Sequence, residues 1–380
     1  MSARELDLAA LVRDPRTRII VTCGSGGVGK TTTAAALALL GAEAGRRTVV
    51  LTIDPARRLA QSMGLLELDN TPREVKGVAD GQLFAMMLDM KRTFDDVVLE
   101  HSTPERAEQI FQNPFYQSLS SSFAGTQEYM AMEKLGQLAA TGEWDLIVVD
   151  TPPSRSALDF LDAPNRLGRF LDGRMIRLLT APARAGGRTG MRVMTAGLGV
   201  FAKVFSRVLG GDLIRDLSAF VSALESMFGG FRERAQQTYE LLKAPGTAFV
   251  VVAAPEPDAL REASYFVERL SAERMPLAGL IVNRMRRTAG VTGATALPAA
   301  RAEAAADILA TKAPEPAAAL AEVALRVHAE IAGAAEHDAR MARRFSTAHP
   351  EVRVVCVPAL PADVHDLAGL RTIGTLLAPA

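Results

Sequence analysis

A glycine-rich motif near the start of the chain constrains the fold more than any other feature. Residues 24–31 read GSGGVGKT and fit the pattern G-x-x-x-x-G-K-[ST]. An apolar run ends just before the motif at Cys23, and a helical pattern begins just after it at Thr32. A glycine turn between a strand and a helix presents main-chain N–H groups and the positive end of the helix dipole to a phosphate. The motif therefore predicts a nucleotide-phosphate site in an α/β fold.

The parts of this turn have separate predicted roles toward ATP and Mg²⁺. Lys30 is predicted to reach the β- and γ-phosphates as a catalytic residue, and the Thr31 hydroxyl is predicted to bind the metal. The alternative is a glycine-rich turn that binds no nucleotide. The predicted cofactor-binding residues of the loop are Gly24, Ser25, Gly26, Gly27, Val28, Gly29, Lys30, Thr31 and Thr32.

Two aspartates that end apolar runs are predicted to complete the catalytic centre. Asp150 follows the run LIVV, and a carboxylate in that place is typical of a Walker B acid, which holds Mg²⁺ directly or through water. Asp54 follows the run TVVLTI and is predicted to orient or deprotonate the attacking water. The predicted metal ligands are thus Thr31, Asp54 and Asp150. For each aspartate the alternative is a turn former or a helix N-cap.

Short apolar runs rich in β-branched residues alternate with helical patterns along the chain. Such runs are buried on both faces, which is typical of a parallel sheet covered by helices. The sequence predicts a single domain over 1–380, with a doubly wound, mostly parallel sheet of about seven strands flanked by helices. The predicted strands are Arg18–Cys23, Thr48–Ile53, Leu83–Leu88, Asp145–Val149, Ala248–Val252, Leu280–Val282 and Val352–Val357.

Three segments interrupt this alternation. Residues 90–140 and 160–243 show helical spacing without strands, which predicts an inserted helical subdomain. Residues from about 287 to 346 are rich in alanine and charge, which predicts surface helices.

Composition excludes several classes of protein. Lys and Arg together number 43, as do Asp and Glu, so no basic excess indicates a nucleic-acid partner. The two cysteines, both in predicted buried strands, are too few for a disulfide framework or a four-ligand zinc site. No uncharged apolar segment reaches the length of about 18 residues that spans a bilayer. These features predict a cytoplasmic protein and leave peripheral membrane attachment open.

At these motifs the chain resembles the ArsA family, which includes arsenite-efflux ATPases and chaperones that target tail-anchored membrane proteins. The resemblance covers nearly the whole chain, and the run 125–133 resembles the actinobacterial branch, in which two paralogous subunits can pair. The matching landmarks are the glycine loop, Asp54-Pro55-Ala56, Asp150-Thr151-x-Pro153, Phe249–Pro255 followed by Glu256, Ile281–Asn283 and Val355–Pro358.

The resemblance implies roles that the residues alone do not. Asp54 would activate water, Asp150 would be the acid of a second switch, and Asn283 would bind the adenine edge. The backbone around Pro358 would close the base pocket. Members of the family form a nucleotide sandwich in which two subunits close on ATP and rearrange their helical regions.

Departures from the family pattern affect the predicted partner. Ser25 stands where the family loop usually has a lysine that crosses the dimer interface to the partner's phosphates. A heterodimer with a paralogous subunit that retains this lysine is favoured, and a homodimer with slower turnover is the alternative. Residues 154–156 read SRS where relatives often carry Thr-Gly-His, and the chain has no Cys-x-x-Cys for a zinc clamp.

Three hypotheses address the use of the ATP. The first is a targeting ATPase with an apolar groove for a helical client or membrane protein, because methionines and Phe–Val–Leu stripes recur in the helical segments. Ordinary core packing explains the same stripes. The second is the energising subunit of an anion pump, although two cysteines are too few for a trivalent arsenic site. The third is a nucleotide-binding scaffold for a paralogue. The residues behind the first hypothesis are Met86, Met87, Met90, Met130, Met132, Met175, Met191, Met194, Met227, Phe201, Val204, Phe205, Val208, Leu213, Leu217, Phe220, Val221, Leu224 and Phe228.

Overall fold

In the part of the chain that the structure describes, eight strands form one sheet: β1 (Ile19–Cys23), β2 (Arg47–Thr52), β3 (Arg73–Val75), β4 (Gln82–Met87), β5 (Leu146–Asp150), β6 (Thr247–Ala253), β7 (Leu277–Met285) and β8 (Val354–Pro358). The computed structural model describes residues 5–54, 58–65, 67–113, 116–117, 126–152, 233–288, 297–311 and 316–377. All neighbouring strands pair in parallel except β3 and β4, which are antiparallel. The order of the strands across the sheet is β3-β4-β2-β5-β1-β6-β7-β8.

The α/β class and the mostly parallel sheet are confirmed, and the described residues form eight strands where the sequence predicts about seven. The seven predicted runs correspond to the seven parallel strands. The strand that sequence reasoning missed is β3, which has three residues, two of them exposed, at one edge of the sheet. An edge strand this short contains no apolar run, so the pattern that identified the other strands does not occur there.

Helices separate most strands along the chain, and several consecutive helices form the segment between β4 and β5. In the described part of the chain they are α1 (Leu8–Arg13), α2 (Lys30–Glu43), α3 (Arg58–Ser62), α4 (Met90–His101), α5 (Pro104–Phe111), α6 (Thr126–Ala140), α7 (233–243), α8 (Pro257–Ala272), α9 (Ala299–Ala310), α10 (Pro316–Ala348) and α11 (Leu367–Leu377).

The centre of the sheet is buried on both faces because helices cover it. Every residue of β1, β5 and β6 is buried. Helix α2 packs against β2, β5 and α11, and α8 packs against β6 and β7. Strand β1 lies between β5 and β6, and the chain runs from β1 to β2 on one side and later reaches β6 on the other. Ligands in open α/β sheets bind at such a reversal of strand order, beyond the carboxyl ends of the strands.

Contacts divide the described residues into two compact units. The first unit holds the sheet and consists of three segments. They are the chain up to Met87, the stretch that begins at Glu143 and contains β5, and the stretch from Leu242 through helix α11. The second holds α4, α5 and α6 between Leu88 and Gly142, together with α7 up to Leu241. The division of the chain into domains stays a prediction, because residues 153–232 lie outside the described residues. The stripes at 201–208 and 213–228 and the methionines at 175, 191, 194 and 227 lie outside them too.

Helices α9 and α10 pack on each other in the first unit. Between residues 316 and 331, α10 has no buried side chain, and the first buried residue is Ala332. The large apolar side chains of this pair that are exposed are Ile308, Leu320, Val323, Val327 and Ile331.

The two cysteines differ in their surroundings. Cys23 is buried in the central strand, and burial raises the pKa of its thiol to about 12. Cys356 is exposed, so its predicted burial is wrong. The reason is that β8 is an edge strand of the sheet, so burial alternates along it. Val355 and Val357 are buried, and Cys356 between them is exposed. None of the described helices is long and apolar enough to cross a membrane.

Candidate functional site

The carboxyl ends of three neighbouring strands meet beside the glycine loop. In the parallel register, Asp150 of β5 lies level with Thr22 of β1 and with Thr52 of β2. The loop leaves the end of β1 immediately after Cys23 and enters α2 at Lys30. Residues that are far apart in the chain are thereby gathered at one edge of the sheet.

Glycine is required at two positions of the loop. Gly24 has φ of 147°, and a Cβ there would overlap the main-chain carbonyl of Val252 on β6. Gly29, the N-cap of α2, has φ of 96°, and a Cβ there would overlap the side-chain amide of Asn283. Positive φ is strained for residues with a side chain, and both positions lack the space for one. The motif's glycines therefore follow from the packing of the loop against β6 and β7.

The loop closes on itself through its lysine. The Lys30 ammonium donates to the Ser25 main-chain oxygen at 2.8 Å, across the curve of the loop. Lys30 is 6% exposed. Burial lowers the pKa of Lys30, and the nearby carboxylates, Asp150 foremost, act in the opposite direction. The main-chain N–H groups in the first turn of α2 have no partner within the helix, since the first such bond is from Thr33 to Gly29. The loop thus brings one ammonium and several donors to one place.

Asp150 is fully buried, and its two carboxylate oxygens have different surroundings. Its Oδ2 accepts hydrogen bonds from the Thr31 hydroxyl at 2.8 Å and from the Thr52 hydroxyl at 2.9 Å. Its Oδ1 has no hydrogen-bond partner among the described residues, and the same holds for the buried Ser25 hydroxyl. Burial raises the pKa of Asp150 to about 6, although hydrogen bonds from Thr31 and Thr52 act against the rise.

The oxygen atoms of Asp150 and Thr31 fit a divalent cation with bound phosphates. Mg²⁺ is held by oxygen ligands, usually one or two from protein side chains, with the rest from phosphates and water. The Asp150 Oδ1 and the lone pairs of the Thr31 hydroxyl supply such oxygens. A buried carboxylate oxygen without a donor is destabilising on its own and favours a cation beside it.

Asp54 lies in the same cluster, one strand away. It follows the end of β2, is partly exposed, and its main-chain N–H donates to the Thr52 hydroxyl at 3.2 Å. Its charge raises the pKa of Asp150 and acts on Lys30, so the three predicted catalytic residues are electrostatic neighbours. Residues 55–57 and 153–156, which complete the two predicted switches, lie outside the described residues.

The side chain of Asn283 contacts the glycine-rich loop directly. Its side-chain amide donates to the Val28 main-chain oxygen at 2.8 Å. The register of β7 with β8 shifts between Val282 and Met285, and Arg284 has φ of 59°. A bulge of this kind re-aims neighbouring side chains. The role of Asn283 toward adenine stays a prediction.

Pro358 ends β8 and pairs with Met285 at the end of β7. The adjacent Ala359 main-chain N–H donates to the Met285 oxygen at 2.9 Å. Pro358 is thus on the same edge of the sheet as Asn283, and its part in a base pocket stays a prediction.

Sequence reasoning missed Thr52, which donates to Asp150, and it did not anticipate two buried threonines nearby whose hydroxyls donate to main-chain oxygens. Thr52 is described above; in addition the Thr22 hydroxyl donates to the Val149 oxygen at 3.2 Å, and the Thr151 hydroxyl donates to the Thr22 oxygen at 2.8 Å. All three are buried. The available signal was a threonine at or beside the end of an apolar strand, but its meaning depends on the strand register.

This fold and this site define a P-loop nucleoside triphosphatase. The model of the anion-transporting ATPase family matches residues 17–291. Over 295 residues the chain is 30% identical to ATPase ARSA2 of Chlamydomonas reinhardtii, covering 77% of this chain and 74% of that protein. It is 25% identical to ATPase GET3 of Podospora anserina, covering 74% of this chain and 77% of that one. A putative arsenical pump-driving ATPase of Prosthecochloris vibrioformis is 31% identical over 40% of this chain and 36% of its own length. The chain belongs to the anion-transporting ATPase (ArsA) family and is an ATPase.

The contact between Gly29 and Asn283 leads to a test of the loop. Gly29→Ala is expected to weaken ATP binding by roughly tenfold or more, because strain at positive φ of about 1–2 kcal/mol adds to the overlap with Asn283. Titration with a fluorescent ATP analogue measures the effect. The double variant Gly29→Ala/Asn283→Ala removes the overlap but not the strain, so Gly29→Ala should cost less affinity in an Asn283→Ala background than in wild type. Equal affinity of wild type and Gly29→Ala would contradict the loop geometry.

Proposed function

We propose that the chain hydrolyses Mg²⁺-bound ATP at this edge of the sheet, as part of a dimer, and couples hydrolysis to movement of its helical unit. The observation that carries the proposal is the Asp150 carboxylate, whose Oδ1 lacks a donor while its Oδ2 is held by the Thr31 hydroxyl. A buried acid in this state, beside a phosphate-binding turn and Lys30, suits a metal-bound triphosphate.

Each residue then has one task. Lys30 would exchange the Ser25 carbonyl for phosphate oxygens, with its ammonium neutralising their charge. The Thr31 hydroxyl donates a hydrogen bond to Asp150, so the lone pairs of its oxygen are left for the metal. When bound, Mg²⁺ supplies charge neutralisation at the β- and γ-phosphates. Asp54 would accept a proton from the water that attacks the γ-phosphorus, with ADP as the leaving group.

The proposed partner follows from Ser25. A serine cannot carry charge across an interface to a second nucleotide, so a subunit that has lysine at this place would supply the missing cation. We favour a heterodimer with a paralogous subunit, and a slower homodimer is the alternative.

The proposed use of hydrolysis is targeting or transport of an apolar helical client or a membrane protein. The family resemblance supports this use, and the name of one relative, a putative arsenical pump-driving ATPase, supports the alternative of an anion pump. Against a thiophilic metalloid site, the structure offers one buried thiol with a raised pKa and one exposed thiol in a different strand. The described residues contain no group of three or more His, Cys, Asp or Glu that could hold a metal ion. The predicted cytoplasmic location and the absence of a nucleic-acid partner stay predictions.

Phosphate release from ATP tests the proposed chemistry. Lys30→Ala is expected to lower turnover by about a hundredfold or more, since the phosphate charge loses its nearest cation. Asp54→Asn should abolish turnover while Mg²⁺-ATP still binds, because the amide cannot accept the proton. Lys76→Ala is the matched control, since Lys76 pairs with Glu74 and follows the edge strand β3, which lies four strands away from β1 in the sheet. Wild-type turnover in Lys30→Ala would reject the proposal.

The heterodimer is tested separately by mixing. Turnover of this chain should rise when the nearest paralogue with the loop lysine is added, and should not rise with a paralogue in which that lysine is replaced by alanine. A mixture that is no faster than the sum of its parts would favour the homodimer.

A further inference from the structure

One hydroxyl joins the two acids of the site. Thr52, the last residue of β2, is 1% exposed. Its Oγ1 lies 2.9 Å from Asp150 Oδ2, 3.2 Å from the Asp54 main-chain nitrogen and 3.3 Å from the Asp54 main-chain oxygen. A hydroxyl has one proton to donate and lone pairs to accept with. The contact with Asp150 is the shortest of the three, and Asp150 carries a charge, so the Thr52 hydroxyl donates its hydrogen bond to Asp150 Oδ2. Its lone pairs then accept from the Asp54 N–H.

We infer that Thr52 is a positioning residue that holds Asp150 and Asp54 in mutual register for hydrolysis, an inference that rests on the proposed function. The outer torsion of an aspartate is broad and twofold, so a carboxylate held by one hydrogen bond can turn. With Thr31 and Thr52 both donating to Oδ2, the plane of the Asp150 carboxylate is set and Oδ1 is directed away from both donors.

The same hydroxyl acts on the start of the segment that carries Asp54. The Asp54 main chain follows directly from β2, and the bond from its N–H to Thr52 ties that turn to the end of β5 through Asp150. Thr52 therefore connects the water-activating side of the site with the metal-binding side. Thr31 also donates to Asp150, but it does so from the first turn of α2.

Thr52→Val tests this inference, because valine keeps the shape of threonine and removes the hydroxyl. Turnover is expected to fall about tenfold to a hundredfold, the range for loss of a hydrogen bond to a charged group. The Mg²⁺ concentration that produces half of the gain in affinity for a fluorescent ATP analogue should rise about tenfold, since only Thr31 still holds the Asp150 carboxylate. Binding of the analogue in EDTA should be unchanged, because Lys30 and the glycine turn are intact.

Two further variants separate positioning from packing. Thr52→Ser keeps the hydroxyl and should restore the Mg²⁺ dependence of wild type. Thr22→Val removes an equally buried hydroxyl from the next strand but one, where the bond goes to a main-chain oxygen and not to Asp150; it should leave the Mg²⁺ dependence unchanged. Should Thr52→Val not fold, the comparison of Thr52→Ala with Thr52→Ser makes the same test.

Wild-type Mg²⁺ dependence and turnover in Thr52→Val would overturn the inference, and so would equal losses in Thr52→Val, Thr52→Ser and Thr22→Val. These outcomes differ from failure of the proposed function. If Lys30→Ala loses turnover and Thr52→Val does not, only the inference about Thr52 fails. If Lys30→Ala retains turnover, the proposed function itself fails.

Discussion

Asp150→Asn is expected to abolish Mg²⁺-dependent hydrolysis and, at the same time, to raise the unfolding temperature of the nucleotide-free protein above pH 6. Burial raises the pKa of Asp150 from 3.8 to about 6, so the folded state binds a proton that the unfolded state releases. Stability from this group is complete below about pH 4 and is lost as the pH rises to about 6. A shift of this size corresponds to about 3 kcal/mol at neutral pH.

Asparagine escapes this loss because it carries no charge. Its amide oxygen can accept from Thr31 and Thr52 as the carboxylate does, so the packing of the site is kept. Thermal unfolding in EDTA from pH 5 to 8 should show wild type falling below Asp150→Asn as the pH rises. With Mg²⁺ and ATP the order should reverse, since ligand binding stabilises only the protein that binds it.

Asp145→Asn is the control, because Asp145 lies just before the other end of β5, is exposed, and accepts from the Arg47 main-chain N–H. It should retain both hydrolysis and the pH profile of wild type. An Asp150→Asn protein that hydrolyses ATP normally, or that unfolds at the wild-type temperature across the pH range, would contradict the assignment of Asp150.

Arg286→Leu is expected to destabilise the fold by about 3–5 kcal/mol, the effect of leaving a buried charge without its partner. Asp338 of α10 is fully buried, while the side chain of Arg286 is 54% exposed. The carboxylate accepts from the Arg286 main-chain N–H at 2.8 Å, from Nε at 2.9 Å and from Nη2. Burial acts to raise the pKa of Asp338, but the hydrogen bonds from Arg286 outweigh it and hold that pKa below its usual value. This pair joins α10 to the residue that follows β7.

The two partners should respond unequally to substitution. Asp338→Asn removes the buried charge and leaves Arg286 to water, so a smaller loss of about 1–2 kcal/mol is expected. Arg340→Leu is the control, since the exposed Arg340–Glu336 pair on the same helix should contribute less than about 1 kcal/mol. Urea unfolding at pH 7 measures all three.

The pH dependence checks the cause of this loss. Because the pKa of Asp338 is lowered in the folded state, its contribution is present above the ordinary aspartate range and is lost as the pH falls through the folded pKa. The gap between wild type and Arg286→Leu should therefore narrow below about pH 4. A gap that is constant with pH, or a larger loss in Asp338→Asn than in Arg286→Leu, would contradict a charge effect.

Much of the site could be predicted because its parts are local in the chain. The loop, Lys30 and Thr31 are consecutive, and their chemistry depends on a turn that eight neighbouring residues form together. Asp150 was recognisable because it ends a fully apolar run, and parallel strands carry ligand sites at their carboxyl ends. The same patterns missed β3, whose short edge position needs no apolar residues, and misplaced Cys356, whose exposure depends on which strand ends the sheet.

The sequence by itself determined the class of fold, the glycine-rich turn and the acid at the end of β5, because each depends on residues that are adjacent or on a periodicity within one element. Only the tertiary structure decided that Thr52 bridges Asp150 and Asp54, that the Asn283 amide donates to the Val28 carbonyl, and that Arg286 pairs with Asp338. These contacts join residues whose distance in the chain says nothing about their distance in space. They depend on strand register and on backbone angles that a linear pattern does not contain.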